Sequence, residues 1–85
     1  MEGKPFKVEV EFSGKPSEYV AERNWSPDQR IRKLDNGRIR LIFSSSSRVE
    51  LIPWVLAFAG DAKVIRPEWL VEEVKRAAED LLANY

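Results

Sequence analysis

Apolar and charged residues alternate without a miss from Phe6 to Phe12. A period of two marks a strand with one buried and one wet face. Phe6, Val8, Val10 and Phe12 then point inward, and Lys7, Glu9 and Glu11 outward. After the turn Ser13-Gly14-Lys15 the spacing changes. Pro16, Tyr19, Val20 and Arg23 fall at i, i+3, i+4 and i+7, which predicts a short helix over 15–23, with Pro16 tolerated in its first turn. Asn24-Trp25-Ser26-Pro27-Asp28 ends that helix, because a proline pushes the residue before it out of the helical region. Gln29–Leu34 and Arg38–Ser44 flank Asp35-Asn36-Gly37, and Asn-Gly between two strand-like runs predicts a tight hairpin. In its second arm Ile39, Leu41 and Phe43 face inward, and Arg38, Arg40 and Ile42 outward. The first arm is less regular, which suits an edge strand.

Ser44–Ser47 reads as a polar loop. Ser47-Arg48-Val49-Glu50 fits a capping box, and the helix behind it carries Leu51, Trp54, Val55 and Phe58 on one face and stops at Gly60. Pro53 either kinks this helix or starts it; a start near 48 with a distorted first turn fits better. Ala62–Arg66 is a short fourth strand. Pro67 opens a last helix whose Glu68, Glu72 and Glu73 favour the positive end of its dipole. Its stripe holds Leu70, Val74, Ala77, Ala78, Leu81 and Tyr85, widened by Val71 and Leu82. The order β-α-β-β-α-β-α predicts an α+β fold with a ferredoxin-like βαββαβ unit. That unit is a four-stranded antiparallel sheet, strands one and three central, with two helices on one face. The seventh element is an extra C-terminal helix. Residues 1–85 read as a single domain, since a chain of 85 residues has room for one core.

Composition narrows the function. The chain has no cysteine and no histidine, which removes disulfides, a thiolate nucleophile, the commonest general base and the commonest metal ligands. The glycines, at 3, 14, 37 and 60, are scattered, so no phosphate loop is present. Glu72 and Glu73 are adjacent and cannot share a helix face. An enzyme is therefore not expected, nor a metal or cofactor. No apolar run nears the ~20 residues of a membrane helix, Met1–Glu11 lacks a signal-peptide core, and no membrane partner is expected.

Fourteen basic and fourteen acidic residues cancel, which argues against bulk attraction to nucleic acid. The charge is unevenly spread: residues 1–28 carry net −2, residues 29–48 net +5 and residues 49–85 net −3. Two readings of the basic hairpin stand side by side. Arg30, Arg32, Arg38 and Arg40 meet a ligand, a phosphate or an acidic partner, a role that favours arginine over lysine. Alternatively, Glu9 and Glu11 of the neighbouring strand neutralise Arg38 and Arg40. An RNA-recognition sheet exposes aromatics on its central strands, whereas Phe6, Phe12 and Phe43 share the phase of the core. Trp54 belongs to that core. Trp25 either plugs the end of the core or faces a partner. Trp69, off the main stripe of the last helix, is a candidate for contact outside the domain. A ferredoxin-like core already has two helices over one sheet face, so the last helix must find another apolar surface: the edge of the domain, a neighbouring domain or a second copy. Leu81, Leu82 and Tyr85 are the candidates for docking outside the domain.

The order of these segments resembles a known family. The pieces are Val8–Phe12, Tyr19–Arg23, Trp25-Ser26-Pro27-Asp28-Gln29-Arg30-Ile31, Asp35–Phe43, Trp54–Gly60 and Val64-Ile65-Arg66-Pro67. Together they cover roughly residues 6–85. They are similar to the C-terminal extension (WCX) domain found behind WYL domains in bacterial helix-turn-helix transcriptional regulators. The resemblance implies a cytoplasmic, ferredoxin-like regulatory and dimerisation domain, excised from a longer regulator and beginning at Met1-Glu2-Gly3. Its partners would be upstream WYL and helix-turn-helix domains and a second copy, in a homodimer. DNA would be met only through the full-length protein. The motif residues Phe12, Tyr19, Trp25, Phe43, Trp54 and Gly60 are expected to be structural. The alternative is a small-ligand or single-stranded nucleic-acid module that uses the basic hairpin.

Overall fold

The alternating segment at the start of the chain forms the strand it predicts. In a computed structural model, which describes residues 3–85, the order is β1 (Phe6–Phe12), α1 (Pro16–Ala21), β2 (Arg30–Lys33), β3 (Ile39–Ser45), α2 (Arg48–Leu56), β4 (Ala62–Arg66) and α3 (Glu68–Ala83). Met1 and Glu2, read above as part of the start of an excised piece, lie outside the described residues. The strands form one antiparallel sheet in the order β2-β3-β1-β4. This is the ferredoxin-like arrangement, with β1 and β3 central and α3 added.

The phase of each strand is set by what it buries. Val8, Val10 and Phe12 of β1 lie opposite Phe43, Leu41 and Ile39 of β3. All six are buried, together with Val64 of β4, Val20 of α1, Leu51 and Val55 of α2, and Leu70 of α3. Each such side chain contributes about 1.5–3 kcal/mol on burial. A slip of one residue would drive Lys7, Glu9 and Glu11 into this core. On the β4 side the register shifts between Glu9 and Val10, which places Arg66 opposite Glu9 while Val64 stays opposite Val10.

One end of the core is aromatic. Trp54 stands edge-on to Phe12, Phe43, Phe58 and Trp25, with ring centroids 5.8, 5.4, 5.5 and 5.2 Å away. Trp25 plugs this end: its indole N–H donates to the Val20 carbonyl at 3.0 Å. The hairpin turns through Asn36 (φ 62, ψ 32) and Gly37 (φ 76). Two left-handed residues in succession match the twist of the flanking strands, which is why Asn-Gly serves here. The Arg38 amide closes the turn on the Asp35 carbonyl at 3.2 Å.

Several boundaries differ from expectation. The first helix ends at Ala21, two residues short of the predicted 23. The serine run is not all loop, because Ser44 and Ser45 pair with Lys7 and Phe6 and extend β3. The second helix starts at Arg48, but the capping box does not form. The Ser47 hydroxyl is buried without a partner, and the Ser47 amide donates to the Ser45 hydroxyl at 3.2 Å instead. That helix stops at Leu56 rather than Gly60. The Phe58 amide reaches back to Val55 at 3.1 Å, tightening the last turn into 3-10 geometry, and the left-handed residue is Ala59 (φ 52). Pro53 lies inside the helix on its exposed side. It cannot donate to the carbonyl of Val49, a residue 80% exposed.

Candidate interaction surface

The outward positions of the strands make a second, polar sheet face opposite the helices. Lys7, Glu9 and Glu11 of β1 lie beside Ser44, Ile42 and Arg40 of β3. On the far side of β3, Arg30 and Arg32 lie beside Ile42 and Arg40. Arg38 and Arg40 both reach Glu11, at 3.0 and 2.5 Å. Glu9 instead takes Arg66, at 3.3 Å, because the bulge brings that residue alongside. Neutralisation of Arg38 and Arg40 across the strands therefore runs through Glu11 alone. The Arg40 guanidinium beside Glu11 holds its carboxyl below the usual carboxylate range, with Arg38 and Lys63 adding to the pull against the effect of burial. Arg30 and Arg32 have no acidic partner among the described residues.

A loop carries a second polar cluster onto this face. Gln29 holds the loop in shape: its amide oxygen accepts from the backbone N–H groups of Trp25 and Ser26, and its nitrogen donates to the Arg23 carbonyl at 2.9 Å. Asp28 then accepts from the Lys7 ammonium and from the Ser26 and Ser44 hydroxyls, each at 2.6 Å. The Lys7 ammonium, followed by the two hydroxyls, holds this carboxyl well below the usual carboxylate range. Between this face and the start of α3 lies an open groove of about 1120 Å³, with Ile42, Ile65, Pro67 and Val71 among its apolar lining and Lys7, Arg30, Arg66, Glu68 and Glu72 among its charges.

The residues singled out on the last helix fall into two environments. Trp69 is half-buried, edge-on to Phe6 at 5.2 Å. The Arg48 guanidinium lies 4.1 Å from its ring centroid and also pairs with Glu73 at 2.9 Å. Leu81, Leu82 and Tyr85 are 54%, 76% and 97% exposed. The structure thus brings Arg38 and Arg40 together on one acid, places Arg30 and Arg32 at the edge of the same face, and sets the end of α3 apart. Sequence reasoning did not reach the Asp28 cluster or the Arg48–Trp69 contact. Lys7 and Ser44 face each other once β1 pairs with β3, but nothing in the local pattern points Asp28 at them.

No His, Cys, Asp and Glu group able to hold a metal occurs among the described residues, and no helix among them is long and apolar enough to cross a membrane. Fold and surface define the class: an α+β, ferredoxin-like domain with an added C-terminal helix, its polar chemistry laid out on open faces. The chain belongs to the WCX domain family, whose model matches residues 4–82. This is a regulatory domain family associated with WYL transcriptional regulators. No curated protein matches the chain significantly.

Proposed function

We propose that this chain is a non-catalytic regulatory and dimerisation domain of a bacterial helix-turn-helix transcriptional regulator. It carries the state of a bound ligand or partner to a DNA-binding domain elsewhere in the full polypeptide. Its partners are the WYL and helix-turn-helix domains of that protein and a second copy of itself, in the cytoplasm. Family membership supports the setting. The observation that carries the docking role is the exposed end of α3, where Leu81, Leu82 and Tyr85 meet nothing in the core. An amphipathic helix with an uncovered apolar end gains by burying it against another surface.

Sedimentation velocity from low to high micromolar concentration tests this. The expected result is association that rises with concentration and is lost in Leu81→Glu. A monomer throughout, unchanged by the substitution, contradicts it. The rival reading, a small-ligand or single-stranded nucleic-acid module on the hairpin, draws support from Arg30 and Arg32, which have no acidic partner among the described residues. It is weakened by Glu11, which already satisfies Arg38 and Arg40.

A further inference from the structure

β2 ends the sheet and pairs with β3 on one side only. The Leu34 amide donates to the Arg38 carbonyl at 2.8 Å, which fixes the alternation of the antiparallel ladder. Arg30 and Arg32 turn their backbone groups toward β3, and Ile31 and Lys33 turn theirs away from the sheet. No loop hydrogen bond of the described residues reaches those outer groups. Arg30, Arg32 and Lys33 make the strand strongly cationic and are all exposed. Arg32 stands directly opposite Arg40, a like-charge pair that costs stability. Glu11 compensates Arg40, and no acid among the described residues compensates Arg32. On the helix side a cleft of about 370 Å³ separates α1 from the hairpin, with Ala21, Leu34, Ile39 and Ser17 among its lining. Ser17 is only 4% exposed, and its hydroxyl has no partner.

The other side of β3 shows what satisfies such a surface. There β1 runs Val8-Glu9-Val10-Glu11, with its valines in the core and Glu11 holding Arg38 and Arg40. We propose that the β2 edge docks an extended segment of a partner protein in which acidic and apolar residues alternate, added as a fifth strand. Its carboxylates lie beside Arg30 and Arg32 on the open face. Its apolar side chains enter the cleft over Ala21 and Leu34, and its backbone pairs with Ile31 and Lys33. A second copy of β2 does not fit, because each strand would bring three cations to the same seam. Docking at the β2 edge does not depend on self-association through α3.

The test is a titration of the isotope-labelled chain with a short capped peptide alternating glutamate and valine, read by amide chemical shifts and amide exchange. Ile31 and Lys33 are expected to shift and their exchange to slow. A lysine–valine peptide binds more than about tenfold more weakly, and N-methylation of alternate peptide amides abolishes binding. Arg32→Glu, an exposed change, weakens binding about fivefold. Four results overturn the proposal: no binding at low salt, shifts confined to the groove at Lys7 and Arg66, equal binding of the N-methylated peptide, or the same shifts produced by a single-stranded oligonucleotide.

Discussion

Two acids on the open face, Glu11 and Asp28, each hold more than one donor. Glu11 holds two arginines, and Asp28 holds one ammonium and two hydroxyls. The alternation of β1 and β3 made the meeting of Glu11 with Arg38 and Arg40 legible in the sequence. The departure of Glu9 to Arg66 was not, because it depends on a bulge that no local pattern encodes. Asp28 was equally hidden, since two of its three partners, Lys7 and Ser44, lie on strands remote in sequence. Its depressed pKa gives a signed expectation. A carboxylate with a lowered folded-state pKa stabilises the fold above the unfolded value of about 3.9, and that contribution is lost as pH falls below it. Asp28→Asn is therefore expected to lower the urea midpoint at pH 6. It should also reduce the drop that the native chain shows between pH 6 and pH 2.5. Glu11, shifted in the same direction, accounts for part of the drop that remains. Urea titrations at the two pH values check this.

Elements were legible where a period ran long enough to be unambiguous. β1 and β4 match their predicted limits, and the hairpin falls on Asn36-Gly37, because those signals are local. Caps and helix ends were not legible. The Ser47 amide took a local partner, the Ser45 hydroxyl, in place of the cap, and α2 closed on a 3-10 turn at Phe58 with Ala59 left-handed. Pro53 removes one helical N–H from the exposed side of α2. Pro53→Ala restores an N–H that can reach the Val49 carbonyl and raises helix propensity. It is expected to stabilise the chain by about 1 kcal/mol, net of the entropy the proline removed from the unfolded state. Thermal or urea unfolding of the variant reads this directly, with a higher midpoint and an unchanged slope.

For the whole molecule, one core ties sheet and helices together, and α3 divides in two. Its first turns belong to that core through Leu70, with Trp69 packed on Phe6 and beneath Arg48. Its last turn carries Leu81 and Leu82 into solvent, and Tyr85, two residues beyond the end of the helix, is exposed with them. The apolar stripe was legible in the sequence, but the point at which the domain stops covering it was not, because that depends on how far α2 and β4 extend beneath the helix. The proposed docking through this helix would use a surface continuous with the turns of α3 that pack on the core. Hydrogen exchange at Leu81 and Leu82 as the concentration rises from micromolar to millimolar tests this most directly. Exchange at these amides is expected to slow as the uncovered end of α3 is buried, while Leu70 stays equally protected throughout. Exchange at Leu81 and Leu82 that is fast and independent of concentration would contradict it.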